Sequence, residues 1–276
     1  MKLLLDIGNS RIKWGWFVAG EFLSTGAAPL QPANPAAALD SLFESGGQPD
    51  DIRLASVAGS GTGTRLATLV AERYGRQPLV ARSAPSGAGV RNGYHDPAQL
   101  GVDRWLALCA AWHRYRAPLC VVDAGTATTI DRVADRGVHL GGLILPGIEL
   151  MQSALLGGTG DLARLSGQGR KGGLERPEPL PSADLSRVPL GRDTATAIRL
   201  GALQSTACLV AACMEVFDGA AAGHDAVLVV TGGAASDVLA ATAPLLTRRT
   251  GLRIERRPFL VLEGLALEPV CFDPAP

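Results

Sequence analysis

A short pattern occurs twice in this chain and limits what it can fold into. Asp6-Ile7-Gly8-Asn9-Ser10 and Asp123-Ala124-Gly125-Thr126-Ala127-Thr128 lie 117 positions apart. Each ends one apolar run and begins another. Leu3–Leu5 leads into the first and Ile12–Val18 follows it; the second sits inside LCVVDAGTATTIDRV. Apolar runs flanking a tight polar turn predict strand, turn, strand. The recurrence marks a weak internal duplication. It divides the chain into halves at 1–118 and 119–276.

The remaining patterns alternate strands with helices, which predicts an α/β fold. Strands are expected at Ile52–Val57, Pro78–Ala81, Val138–Ile144 and Ala226–Val230. Helices are expected at Ala37–Ser45, Arg65–Tyr74, Glu149–Leu156 and Thr194–Phe217, with another from Asp237. In Gly101–Tyr115 the apolar residues Val102, Trp105, Leu106, Cys109 and Trp112 predict a helix with one buried face. Arg253–Leu262 reads as a short strand region. Residues 83–97 read as a loop, and 166–191, rich in Gly, Pro and charge, as a mobile loop with little regular structure.

Charge narrows the function classes. Lys plus Arg and Asp plus Glu both number 26, so no net basic field exists to gather nucleic acid. The N-terminal apolar run is too short for a signal-peptide core. No window is expected to reach the ~20 apolar residues of a membrane span. The five cysteines (Cys109, Cys120, Cys208, Cys213, Cys271) show no C-x-x-C pair. They read as small buried thiols of a cytoplasmic protein. His95, His113, His139 and His224 show no ligand spacing, and none is assigned a role.

The two turns suggest phosphate chemistry. Gly lets the backbone turn tightly, and successive N–H groups in such a turn make an anion-binding nest. The following Asn, Ser or Thr adds a donor, and the Asp can meet a hydrated Mg²⁺ that bridges phosphate oxygens. One copy alone would be an ordinary hairpin turn. Two copies, together with Thr231-Gly232-Gly233 after a third strand, favour a nucleotide gripped by both turns. No G-x-x-x-x-G-K-[ST] occurs, which disfavours a P-loop enzyme. Gly59–Gly63 lacks the last Gly of a dinucleotide loop and reads as a flexible βα loop.

A kinase needs a base beside the hydroxyl it phosphorylates. Asp103 and Arg104 are adjacent at a helix start, where one could take the proton and the other bind an acidic group on the acceptor. An N-terminal helix Asp beside a surface Arg is the plainer reading. Asp131, within the strand after the second turn, reads as structural or functional alike. Thr194 reads as a helix N-cap.

DIGNSRIKW at 6–14, GVDRW at 101–105, DAGTATTID at 123–131, GGLILPG at 141–147 and TGG at 231–233 occur in this order. Together they resemble the type III pantothenate kinases of the acetate/sugar kinase, Hsp70 and actin superfamily. The resemblance implies two duplicated ribonuclease H-like, actin-like domains, each a mixed sheet flanked by helices, with ATP in the cleft between them. It implies transfer of the γ-phosphate of ATP to the 4′-hydroxyl of pantothenate, the first step of coenzyme A synthesis. By the resemblance Asp103 is the base and Arg104 binds the pantothenate carboxylate, with Tyr94, Gly101, Val102 and Thr194 also contacting the substrate. Asp6, Ile7, Gly8, Asn9, Ser10, Arg11, Ile12 and Lys13 form the first phosphate loop, with Asp6 attending to Mg²⁺. Asp123 is a ligand of a monovalent cation, K⁺ or NH₄⁺, and Thr126 contacts ATP. A homodimer is implied, with Thr194 supplied across its interface. Ser10 replaces the family's commoner threonine, Val102 a smaller residue, and 157–191 is longer than the corresponding family segment.

Two other readings compete. A sugar or short-acid kinase of the same superfamily would more often line its pocket with several Asn, Asp, Glu and His. A non-catalytic transcriptional accessory protein would not need Asp6, Asp103 and Asp123 together.

Overall fold

The computed structural model describes residues 1–158, 189–215, 226–247, 251–268 and 272–274. Most of the 166–191 segment therefore lies outside the described residues, as does Cys271. The chain forms two compact units. One comprises Met1–Val121, Asp131–Gly141 and Phe259–Pro276; the other comprises Val122–Ile130 and Gly142–Pro258.

The first unit is organised on a six-stranded sheet. Its strands are β1 (Lys2–Ile7), β2 (Arg11–Val18), β3 (Glu21–Pro29), β4 (Asp51–Ser56), β5 (Leu79–Ala81) and, from the C-terminal end, Phe272–Pro274. β1 pairs antiparallel with β2 and parallel with β4, so it is central to the sheet. That position explains its sequence: Leu3, Leu4, Leu5 and Ile7 are all fully buried, with no polar alternation. β3, on the edge, is largely exposed. Its LSTGAA segment carries little strand signal, so the sequence does not reveal it. Leu3, Leu5, Ile7, Trp14, Trp16, Leu54, Leu66 and Val70 belong to one core cluster.

Helices α1 (Asp40–Glu44) and α2 (Ser60–Tyr74) follow the sequence expectation with one correction. Ser60–Gly63 is the first turn of α2 rather than a flexible loop. Residues 83–97 likewise contain two short strands, β6 (Ser86–Gly87) and β7 (Val90–Arg91), which pair antiparallel. In α3 (Val102–Tyr115) every residue from Arg104 to Trp112 is buried, not one face alone. The short helix Leu260–Ala266, in the region read as strand, packs on α3 and on β1, β2 and β4.

The second sheet has seven strands. Besides β6 and β7 it contains β8 (Leu119–Ala124), β9 (Ala127–Ala134), β10 (Val138–Pro146), β11 (Val227–Thr231) and β12 (Arg253–Arg256). Their order is β12-β11-β8-β9-β10-β7-β6. Within the second unit, α4 (Ile148–Gly158), α5 (Thr194–Glu215) and α6 (Ala235–Thr242) are the α-helices among the described residues. The terminal helix and strand of the first unit are named α7 (Leu260–Ala266) and β13 (Phe272–Pro274). α5 corrects one expectation: its 22 residues, with a best-window mean hydropathy of 1.5, are long and apolar enough to cross a membrane by length and composition. In that window 44% is buried within the protein, and apolar core helices meet the same criterion. The cysteines are not uniformly buried either: Cys109 and Cys120 are, Cys208 is exposed and Cys213 is intermediate.

Candidate active site

In the first unit, β1 delivers Asp6 to the sheet centre opposite Lys13 on β2. Asp6 is 9% exposed. The Gly8 N–H donates to the Arg11 carbonyl at 2.9 Å, closing the turn. Asn9, Ser10 and Arg11 are exposed at its tip, open to a ligand. Ile7 and Ile12 are fully buried beneath it and anchor the turn to the core.

The second unit contains the matching turn in a tighter form. Gly125 N–H donates to the Ala127 carbonyl at 3.1 Å, and two residues rather than three separate the strands. The turn is tied to its surroundings by backbone bonds. Gly147 N–H reaches the Thr126 carbonyl and Ala234 N–H reaches the Ala124 carbonyl, both at 3.0 Å. The Gly-Gly sequence after β11 is thus brought against the turn. Gly232 has φ +94°, and a Cβ there would lie 2.5 Å from Asp123 Oδ1 and the Ala124 carbonyl. Only glycine fits that approach. The hydroxyls of Thr231 and Thr128 are buried with no hydrogen-bond partner.

A third constellation lies wholly within the first unit. Gly101 ends the preceding loop in an extended conformation, and α3 starts at Val102. A Cβ on Gly101 would come 2.7 Å from Asp103 Oδ1, so the glycine leaves room for the carboxylate. Asp103 Oδ1 accepts the Arg104 N–H at 2.8 Å, using one of the orphan amides of the helix start. Burial pushes the Asp103 carboxyl above its ordinary range. The Arg104 N–H and charge pull it down without cancelling that effect, and the nearby Asp131 charge pushes it up further.

Arg104 is not a surface arginine: it is 6% exposed. Its Nε donates to Asp131 Oδ2 at 2.7 Å and its Nη2 to Asp131 Oδ1 at 2.6 Å, a bidentate pair. Its Nη1 donates to the Tyr94 hydroxyl at 2.7 Å. Burial works against the Arg104 charge, but Asp131 and then Tyr94 more than offset it, leaving the guanidinium above its ordinary value. His139 Nε2 lies 2.9 Å from Asp131 Oδ1.

The structure therefore brings Tyr94, Gly101, Val102, Asp103 and Arg104 together in one unit, and adds two partners. Asp131 is ambiguous in the sequence, and His139 has no role there. The signal that could have found Asp131 is a charge in mid-strand between Ile130 and Val133, where burial demands a partner. For His139 no spacing signal exists. Thr194 opens α5 but does not cap it. Asp193 does, accepting the Thr196 N–H at 2.8 Å and its hydroxyl at 2.7 Å.

The model of the type III pantothenate kinase family matches residues 2–216, most of the chain. The chain belongs to the type III pantothenate kinase family. A type III pantothenate kinase of Halorhodospira halophila is 36% identical, over 96% of each chain. That of Pseudomonas savastanoi pv. phaseolicola is 35% identical over 97% of this chain and 98% of its own. Solved structures agree on the fold. A conserved Baf-family protein of Campylobacter jejuni superposes with a TM-score of 0.50 at 20% identity, covering 95% of this chain and 94% of its own. The activator of 2-hydroxyisocaproyl-CoA dehydratase from Clostridium difficile, with bound ADPNP, gives 0.50 at 12% identity, covering 96% and 92%. The fold is α/β, with two mixed sheets flanked by helices, as the resemblance implied.

Proposed function

We propose that this chain transfers the γ-phosphate of ATP to the 4′-hydroxyl of pantothenate, with Asp103 as general base. The observation that carries the reading is the Asp103–Arg104 pair: a carboxyl raised by burial beside a buried, oriented guanidinium. A base whose affinity for a proton is raised accepts one from an alcohol more readily than an ordinary carboxylate does. The oriented guanidinium suits a substrate with one hydroxyl and one carboxylate. Phosphoryl transfer asks little covalent chemistry of the protein beyond this positioning.

Asp6, Ile7, Gly8, Asn9, Ser10, Arg11, Ile12 and Lys13 would hold ATP phosphates, and Thr126 would contact ATP from the second turn. The exposed, glycine-closed tip of the first turn fits that role. Mg²⁺ would arrive with ATP and be shared by Asp6. Among the described residues no group of three or more His, Cys, Asp and Glu side chains could hold a metal ion. One carboxylate plus phosphate oxygens is how Mg²⁺ is commonly held in kinases. Asp123 would bind K⁺ or NH₄⁺. The unpartnered Thr231 hydroxyl, beside the Gly232 contact with Asp123, fits an oxygen-lined monovalent site.

Tyr94, Gly101, Val102 and Thr194 complete the substrate contacts in this reading. The chain acts in the cytoplasm as a homodimer, without nucleic acid or membrane. Leu143, Ile144, Leu150 and Leu155 of the second unit are 44%, 65%, 47% and 46% exposed, and exposed large apolar side chains support self-association. The deciding measurement is a coupled ADP-release assay with pantothenate, run in K⁺ and in Na⁺ buffer. ADP release in K⁺ that requires pantothenate is the expected result. Release with a sugar and not with pantothenate would overturn the substrate.

A further inference from the structure

A buried guanidinium must be paired, but three of the bonds around Arg104 do more than neutralise it. Of its five N–H groups, Asp131 takes one from Nε and one from Nη2, and Tyr94 takes one from Nη1. Two N–H groups remain, one on each Nη. With Nε and Nη2 both fastened to one carboxylate, the guanidinium plane is fixed and those two donors have a set direction.

The carboxylate is itself fastened. Gly93 N–H donates to His139 Nδ1 at 3.3 Å, so Nδ1 carries a lone pair and no proton. The ring proton is therefore on Nε2, which donates to Asp131 Oδ1 at 2.9 Å. The His139 ring lies nearly parallel to Tyr94, 13° between planes and 5.9 Å between centroids. Arg104 Cζ sits 5.5 Å from the centre of the Tyr94 ring. The contacts form a closed circuit from Gly93-Tyr94 through His139, Asp131 and Arg104 back to Tyr94.

The charges in that circuit sum to zero: one carboxylate, one guanidinium and an imidazole with a single ring proton. Attraction for an anionic group then depends on directed N–H donors rather than on net field. We propose that Asp131 and His139 are positioning residues that hold the Arg104 guanidinium in the orientation that receives the carboxylate of the substrate. The inference rests on the function proposed above and deepens it. Neither residue touches substrate; both act through Arg104.

Steady-state kinetics of wild type, Asp131→Asn, His139→Phe and His139→Gln test it. Asp131→Asn and His139→Phe should raise KM for pantothenate about tenfold or more, the worth of a hydrogen bond to a charged group. KM for ATP should stay near the wild-type value. His139→Gln, which can still offer an N–H to Asp131, should recover most of the loss. An unchanged pantothenate KM in folded His139→Phe would overturn the proposal. So would an equal rise in both KM values, or a Gln variant as impaired as the Phe variant. Should Asp131→Asn not fold, the two His139 variants decide. Absence of wild-type turnover with pantothenate defeats the proposed function instead. The imidazole ¹⁵N signals of His139 then test the circuit separately: a protonated Nε2 and bare Nδ1 are expected, and the reverse tautomer overturns it.

Discussion

Asp103 is held in a place where its charge is unfavourable, and this has consequences for both activity and stability. Its carboxyl is raised chiefly by burial, so the folded chain favours the protonated form more than the unfolded chain does. A raised carboxyl contributes stability below its unfolded pKa, and that contribution is lost as pH rises through the folded one. At neutral pH the ionised group therefore costs stability. Asp103→Asn keeps an oxygen for the Arg104 N–H and removes the charge. It should melt at or above the wild-type temperature at pH 7 while turnover falls about 10²–10⁴-fold, the usual worth of a general base. A melting curve and the ADP assay on one preparation check both. A variant that is inactive because it is unfolded would count against this assignment. The pH profile gives a second check: kcat/KM should rise with pH along a limb whose midpoint lies above the ordinary carboxylate value of about 4. Asp103 and Arg104 are legible in the sequence because they stand side by side at a helix start. Asp131 and His139 are not, because their partnership with Arg104 exists only once β9 and β10 are laid beside α3. Arg104 reads as a surface residue for the same reason.

At the scale of elements, α7 shows where periodicity stops being informative. FLVLEGLA is a short apolar run, and such a run does not distinguish a buried strand from a buried helix. A seven-residue helix has little stability of its own. Packing on α3 and the first sheet decides its form. Arg53 from β4 completes it: this buried side chain donates to the Leu265 and Leu267 carbonyls at 3.1 and 3.2 Å, to Asp51 at 2.8 Å, and to Glu268. The carbonyls at the end of α7 are thereby satisfied by a side chain from a strand 212 residues earlier in sequence. Arg53→Met should leave them unpaired and destabilise the chain by about 2–3 kcal/mol. Urea unfolding would show a lower midpoint. Amide exchange should accelerate first across residues 260–268, whereas uniform acceleration would assign Arg53 to the general core instead. The strands are more legible than α7 because β1, β8 and β11 are central and read as unbroken apolar runs ending in Asp-x-Gly or Thr-Gly-Gly.

For the whole molecule, the repeated Asp-x-Gly pattern forms a strand-turn-strand at both places, but its two copies differ. Both turns keep an exposed tip, and the second is in addition tied to its surroundings by Gly147 and Ala234. In the function proposed above they take different ligands, phosphate at the first and a monovalent cation at the second. Replacing K⁺ by Na⁺ should therefore lower turnover in wild type and have little further effect in Asp123→Ala; equal wild-type rates in both salts would remove the cation from Asp123. The placement of Thr194 is a question about the assembly. If it serves the site of the partner subunit, as the resemblance implies, a two-fold dimer has a simple signature. Asp103→Asn and Thr194→Val homodimers should each be impaired. Mixed and allowed to exchange, they form heterodimers in which one site has the base of the Thr194→Val chain and the threonine of the Asp103→Asn chain. That site is wild type and its twin has neither group. Heterodimers make up half of a random equal mixture, so activity should return to about one quarter of wild type. If Thr194 serves its own chain, no combination rebuilds a complete site and mixing restores nothing.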